Sequence, residues 1–362
     1  MEAAIQKKIS VLTFGAGAIG SYFGGSLALA GHKVVFIEQP VVVAELHKNG
    51  IQMDLSLDPR RKSSEPIHLS SSSYQCVSSL QEALKFGPFD VAIFALKSFD
   101  TRVVLESIQP FIEEMPPILC LQNGVDNEST LTEVLGPGRV IAGTTTHSIG
   151  RLGTGRIVLE RLRGVGISKG PDASLNQLAE LLVETMNEAF LNARLYEQAD
   201  DMKWSKMLTN LMANATAAIL DMTPAEVFNH PGLYQLEMGM MREALNVMDA
   251  QGIQAVDLPK VPVRLLVLAV RSLPDFIVKP LLTRMVGGGR GGKMPSFHID
   301  LHSGRGKIEV DYLNGAVVRA GQKTGKPTPI NQLLNETLLK LVSGELKVQD
   351  YSGKPEKLLA NL

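Results

Sequence analysis

Cysteine is nearly missing from this chain. Cys76 and Cys120 are its only two in 362 residues, and they match no metal-ligand spacing. No metal is expected, and so few thiols fit a reducing cytosol. A charge imbalance is also missing. Lysine and arginine total 36, aspartate and glutamate 37, for a formal net charge of -1. Nothing in that balance suggests nucleic acid or an anionic membrane surface as a partner. A long uninterrupted apolar run is missing too. The most apolar late stretch, 261–282, contains Arg264, Arg271, Pro274, Asp275, Lys279 and Pro280, so it does not read as a membrane span. The opening MEAAIQKKISVLTFG shows no apolar signal-peptide core and is expected to run directly into a strand. Internal repeats are absent, and the one low-complexity tract is GGGRGG at 287–292.

What is present is ordinary for a globular protein: 44 % hydrophobic and 20 % charged residues, over a length that allows two domains. The first half alternates short apolar runs with helical stretches. Ile9 to Phe14 reads as a strand buried on both faces. GAGAIG follows at 15–20, then a helix over 21–30 closed by Gly31, then a strand over 33–37 ending at Glu38. A lone GxGxxG is a weak signal, and a Gly-rich turn without a ligand is its bland reading. Between a strand and a helix, with an acid at the end of the next strand, the motif is much stronger. Gly15 allows the tight turn, Gly17 lets backbone approach a pyrophosphate, and Gly20 lets helix and strand pack closely. The loop Gly15, Ala16, Gly17, Ala18, Ile19, Gly20 would present the helix N-terminus to the phosphates.

The alternation continues with strands over 90–96, 117–121 and 140–144, interleaved with helices. Ligands of open parallel sheets sit beyond the carboxyl ends of the strands. Gly15, Glu38, Lys97 and Asn123 all lie at such ends, and His147 reads as structural rather than catalytic. Arg60, Arg61 and Lys62 fall in a polar peripheral segment and read as solvated. Strands over 156–168 suggest an antiparallel extension, and a last strand over 193–196 precedes a boundary near 197–200. The fold class is therefore an N-terminal α/β Rossmann-type dinucleotide-binding domain, 1–198, followed by an all-α domain, 199–362.

In the second half, Asp200 and Asp201 can cap a helix. Thr223-Pro224-Ala225-Glu226 fits a capping box, and the methionines of 233–250 read as core filler. KWSKMLTNLMAN, 203–214, reads as one helix. Lys206, Asn210 and Asn214 then follow at i, i+4 and i+8 and share a face. An amine and two carboxamides in a row suit a polar pocket for a carbonyl and its neighbouring oxygens. The bland alternative is a solvated polar face.

Together these residues resemble the ketopantoate reductase (2-dehydropantoate 2-reductase) family over nearly the whole chain. The resemblance rests on GAGAIGSYFGG, LKSFDT at 96–101, LQNG at 121–124, AGTTTH at 142–147, the Lys206/Asn210/Asn214 row and IEVDYLNG at 308–315. It implies reduction of a 2-oxo acid, foremost 2-dehydropantoate to pantoate for pantothenate biosynthesis. Lys206 is implied as the general acid, with Glu309 as its catalytic and substrate-binding partner. Asn210 and Asn214 are implied on the substrate, joined by Ser296 if one residue is inserted between Asp300 and Glu309. Lys97 and Asn123 are implied on the cofactor side, Asn123 also beside the substrate. The cofactor is NADH or NADPH, and a homodimer is implied as well.

Three features depart from the family pattern. Pro224 stands where some members carry a further substrate asparagine. The 261–293 stretch is long. IEQP follows the second strand where a basic residue is common. The family usually takes NADPH, but an acid at Glu38 favours the ribose 2′-hydroxyl of NADH unless a cation such as Arg60 or Arg61 offsets it. Two alternatives stay open: a same-fold dehydrogenase for another 2-oxo or hydroxy acid, and a non-catalytic nucleotide sensor.

Overall fold

The computed structural model describes residues 7–274, 276, 278–280, 282, 294–304 and 306–362. The glycine-rich tract 287–292 and the first residues of the chain lie outside the described residues. The chain divides into two compact units. One contains Met1–Gln122, Asn127–Met202 and Pro259–Val261; the other contains Asn123–Asp126, Lys203–Leu258 and Pro262–Leu362.

The first unit is built on an eight-stranded sheet in the order β12-β11-β8-β7-β6-β1-β2-β5. Its strands are β1 (Ser10–Phe14), β2 (Lys33–Ile37), β5 (Gln75–Val77), β6 (Val91–Phe94), β7 (Ile118–Cys120), β8 (Val140–Thr145), β11 (Val165–Ser168) and β12 (Ala193–Tyr196). All neighbours pair in parallel except β8 and β11. β1, β6 and β7 are almost wholly buried, because helices or strands cover both faces, and so their sequences do not alternate. On one face lie α3 (Leu80–Leu84), α4 (Thr101–Ile108) and α5 (Asn127–Leu135), which contribute Leu80, Leu105, Ile108, Leu131 and Leu135. On the other lie α1 (Ala18–Leu29) and α6 (Ala173–Glu188). They are joined there by a second sheet of β4 (Ile67–Leu69), β3 (Ile51–Asp54), β10 (Arg156–Arg161) and β9 (Ser148–Gly153). α2 (Pro40–Asn49) starts on its proline.

The expected antiparallel extension is only partly antiparallel. β10 runs antiparallel to β9 but parallel to β3, and β11 antiparallel to β8 but parallel to β12. Of Arg60 and Arg61, both expected to be solvated, Arg60 does stay exposed but is engaged, and Arg61 is largely withdrawn from solvent. Arg60 forms an ion pair with buried Asp58 at 2.7 Å and donates to Asn192 Oδ1 and the Phe190 carbonyl. Arg61 donates to Ser26 Oγ at 2.9 Å and to the Ala189 carbonyl at 2.7 Å. Both guanidinium groups also lie over the Phe190 ring. They fasten the 58–62 loop to α1 and to the turn after α6.

The described elements of the second unit are helical. They are α7 (Ala199–Leu211, from Lys203 onward), α8 (Asn214–Leu220), α9 (Pro224–Asn229), α10 (Pro231–Ala250), α11 (Val263–Ser272), α12 (Ser296–His302), α13 (Val310–Thr324), α14 (Pro329–Ser343) and α15 (Pro355–Leu359). Thr223 and Glu226 form the expected capping box, with Pro224 at the first helical position. Met238, Met240, Met241 and Met248 are buried, as core filler should be. Glu243 accepts the backbone N–H groups of Ile330 and Asn331, so a carboxylate from α10 caps α14. Among the described residues no helix is long and apolar enough to cross a membrane.

Candidate active site

The Gly-rich loop occupies the place in its sheet where ligands bind. β1 lies between β2 and β6, and the chain reaches β6 only after passing through β2 and β5, so the strand order reverses beside β1. Gly15 follows β1 with φ +92, and a Cβ there would stand 2.9 Å from the Leu96 side chain beyond β6. At Gly20 a Cβ would stand 1.9 Å from the Gly15 carbonyl oxygen. Gly17, the N-cap of α1, is different: its backbone is extended, and a Cβ would meet nothing within 4 Å. The protein's own packing does not require glycine there. A ligand approaching the loop backbone would. α1 also has no side-chain cap, so its first amides remain available to an anion. These observations fit a dinucleotide whose pyrophosphate is held by the loop from Gly15 to Gly20.

Glu38 follows β2, half-buried. Burial raises its carboxyl above the ordinary 4.5, while the Ala16 N–H, hydrogen-bonded to it, and the nearby Arg151 pull it back. One loop amide is thus already aimed at the acid expected to read the ribose. Arg60 and Arg61 are engaged around Asp58 and the Phe190 turn and are not among the groups that shift Glu38. Lys97 follows β6, caps the 98–100 turn and accepts the Asp100 N–H at 3.0 Å. Gln122, beside Asn123, donates to the Leu96 carbonyl and to Thr101 Oγ1.

His147 is structural, as expected. Its Nδ1 accepts the Arg163 N–H at 3.2 Å, so the other nitrogen carries the proton, and that Nε2 lies 2.9 Å from the Leu191 carbonyl. Its ring packs edge-on against Tyr22.

In the helical unit the single helix expected over 203–214 is broken. α7 stops at Leu211, Ala213 takes a left-handed conformation with φ 52, and α8 starts at Asn214. The cause comes from elsewhere in the chain. Glu237 of α10, 1 % exposed, accepts the Ala213 N–H at 2.7 Å and the Thr216 hydroxyl at 2.5 Å. A buried carboxylate thus satisfies donors that the break would leave without partners. Asp200 and Asp201 lie inside the first turn of α7 rather than at its cap, where they still oppose the positive end of the helix.

The break divides the polar row between two helices. Lys206 and Asn210 remain one turn apart on α7, and Asn210 Nδ2 donates to Asn123 Oδ1 at 3.1 Å. Asn214 instead opens α8. Its Oδ1 accepts the Phe297 N–H at 3.1 Å, and its Nδ2 stands 3.3 Å from Ser296 Oγ. Lys206 is half-buried and Lys203 is buried. Glu309, 4 % exposed, precedes the first turn of α13 and is not an ordinary surface carboxylate. Gly15 to Gly20, Glu38 and Lys97 belong to the first unit; Asn123, Lys206, Asn210, Asn214, Ser296 and Glu309 belong to the second.

Glu237 went unremarked in the sequence. The available signal was a lone acid inside the apolar run LEMGMM. The place of Arg151 near Glu38 had no local signal.

Known proteins bear on this arrangement. The family described as Ketopantoate reductase PanE/ApbA matches residues 11–171, and its C-terminal counterpart matches 198–342. A 2-dehydropantoate 2-reductase of Archaeoglobus fulgidus is 25 % identical over 335 residues, 92 % of this chain and 97 % of that protein. One from Streptococcus pyogenes serotype M3 is 24 % identical over 323 residues, 89 % and 94 % of the two chains. Among solved structures, a PanE/ApbA family ketopantoate reductase from Ralstonia eutropha superposes with a TM-score of 0.74 at 24 % identity, covering 93 % of this chain and 99 % of that one. D-mandelate dehydrogenase with NADH and anilino(oxo)acetate gives 0.73 at 22 %, covering 92 % and 99 %. At those identities the two superpositions speak for the fold.

Proposed function

The chain belongs to the ketopantoate reductase family, and from that premise we propose that it reduces a 2-oxo acid, 2-dehydropantoate first among them, with a nicotinamide nucleotide. The observation that carries this reading is the pairing of Asn214 with Ser296 and of Asn210 with Asn123. These pairs bring together four residues that the family pattern assigns to substrate, from segments 82 and 87 positions apart.

A bound nicotinamide nucleotide would supply the hydride for the carbonyl carbon. The chain supplies position and charge. As an ammonium, Lys206 stabilises the developing alkoxide and then protonates it. Asn210 and Asn214 orient substrate oxygens, and their own contacts fix both carboxamides beforehand. The Ser296 hydroxyl offers a donor to the substrate carboxylate. Glu309 accepts a hydrogen bond from a substrate hydroxyl. On the nucleotide side, Gly15, Ala16, Gly17, Ala18, Ile19 and Gly20 would hold the pyrophosphate, Lys97 and Asn123 would lie on the cofactor side, and Glu38 would accept from the ribose.

For the cofactor we favour NADH. Glu38 repels a 2′-phosphate; Arg60 and Arg61 are engaged elsewhere, and the one cation acting on Glu38, Arg151, does not outweigh its burial. A second reading, another 2-oxo acid, is favoured by Pro224, which stands in a capping box where some members carry a substrate asparagine. Steady-state assays of a 2-oxo acid panel with NADH and NADPH decide between the two. The panel includes 2-dehydropantoate and the oxo acid corresponding to mandelate. The highest kcat/KM on 2-dehydropantoate supports the first reading, a higher value on another acid supports the second, and turnover of none overturns both.

A further inference from the structure

Three side chains outside the substrate residues converge at the far end of α8. Asp221 follows α8 in a left-handed conformation, with φ 51. Its Oδ1 lies 2.7 Å from His298 Nε2, and its Oδ2 accepts the Ser352 hydroxyl at 3.2 Å. His302 is one turn after His298 on α12, and the two rings lie 4.2 Å apart between centroids, tilted by 44°. One donor atom from each of the three lies within 4.8 Å of the other two. A hydrogen bond from His298 to Asp221 explains two members of this group. It does not explain why a second imidazole is brought against the first on the same side.

We propose that Asp221, His298 and His302 form a binding site for a divalent transition ion of the Zn²⁺ class. The donor set selects that class. Two imidazoles and one carboxylate suit Zn²⁺ or Co²⁺; the all-oxygen shell preferred by Ca²⁺ and Mg²⁺ is not there, nor is a thiolate. Ligand atoms at about 2.0–2.2 Å from such an ion stand roughly 3–3.5 Å from one another in a tetrahedron. Asp221 and His302 are exposed and His298 is half-buried, so an ion enters from solvent and water completes its shell. Ser352 already orients the carboxylate from behind, as outer partners of metal ligands do.

The site would act as a clamp. α8 begins at Asn214 and ends beside Asp221, while α12 begins at Ser296 and carries both histidines. Asn214 and Ser296 join the two helices at their first residues. An ion on Asp221, His298 and His302 would strengthen the second link, at the far end of α8, that the His298–Asp221 contact already makes. This inference does not depend on the proposed reaction.

The test uses tag-free, chelator-treated full-length protein titrated with Co²⁺ and Zn²⁺. Calorimetry and the visible absorption of bound Co²⁺ report binding, and thermal unfolding reports coupling to the fold. One equivalent of either ion is expected per chain. Co²⁺ bands should show nitrogen–oxygen ligation without a thiolate charge-transfer band, and the Tm should rise by a few degrees with Zn²⁺. His302→Ala, at an exposed position, should keep the wild-type Tm without metal, bind at least tenfold more weakly and lose the Tm rise. His298→Ala and Asp221→Asn should behave alike where they fold. Absence of stoichiometric binding to the wild type overturns the proposal, and so does undiminished binding to a folded His302→Ala.

Discussion

Glu237 accepts the Ala213 N–H at 2.7 Å, and this buried bond holds open the break between α7 and α8. Removing the carboxylate leaves that amide and the Thr216 hydroxyl without an acceptor. Glu237→Ala should therefore cost about 2–4 kcal/mol in stability, from a cavity and the lost buried partners together. Glu237→Gln, which keeps one acceptor, should cost less. Asn214 is the next residue after the break, so the Gln variant should also raise KM for the 2-oxo acid. Denaturant unfolding and steady-state kinetics of the pair check this. A Gln variant with wild-type stability and KM would mean that the carboxylate does not position Asn214.

Lys206→Ala should lower kcat by about 10²–10⁴-fold, the usual loss when a general acid is removed. Nucleotide affinity should hardly change. Glu309→Ala should act mainly through KM for a hydroxylated oxo acid. Kinetics on the best substrate, with nucleotide Kd by fluorescence, separate the two effects. Near-normal turnover by Lys206→Ala would remove it as the acid.

Gly17 and Gly20 make a matched pair. Gly17→Val should leave a folded protein that no longer binds nucleotide, because its Cβ meets no protein atom within 4 Å. Gly20→Ala should damage the loop itself, since its Cβ falls 1.9 Å from the Gly15 oxygen. Circular dichroism with calorimetric nucleotide titration distinguishes them. Normal binding by folded Gly17→Val would exclude this loop as the phosphate cradle.

Cofactor choice should follow the charge on Glu38. Burial raises its carboxyl above 4.5, so acidification neutralises it earlier than an ordinary glutamate. The ratio of kcat/KM with NADH to that with NADPH should fall as pH is lowered through this raised range. Glu38→Gln should give a lower ratio at neutral pH, and Glu38→Arg should shift it toward NADPH by roughly tenfold or more. A contact between like charges near an effective dielectric of 20 opposes binding by a few kcal/mol before screening. A wild-type preference for NADPH at neutral pH would refute the assignment.

Acid should destabilise the first unit through its buried imidazoles. Burial lowers both His147 and His32 below the ordinary 6.5. As pH falls below 6.5 the unfolded chain takes up protons that the folded chain refuses. Stability is then full above about pH 6.5 and is lost as pH drops toward the folded values. His147→Gln can still accept from Arg163 and donate to Leu191, but it cannot titrate. Its Tm should fall less steeply between pH 7 and 5 than that of the wild type, and an unchanged slope would assign the acid loss to other groups.

The sequence by itself determined the parts whose causes lie within a few residues. The strand, GAGAIG and helix form one local unit, in which Gly20 is required by the Gly15 carbonyl five residues before it. Thr223, Pro224 and Glu226 cap their helix for the same local reason. Helical periodicity also located α7, but it could not end it. The α7 break depends on Glu237, 24 positions away, and a propensity reading of KWSKMLTNLMAN contains no trace of that carboxylate. Arg60 and Arg61 read as solvated because, apart from nearby Asp58, their partners, Asn192 and the carbonyls of residues 189 and 190, lie some 130 positions on. The spacing of His298 and His302 was visible, but Asp221 meets them across 77 positions. Tertiary structure alone decided these features, because buried polar groups and charges take whatever partner the fold brings to them, and no local pattern encodes that partner.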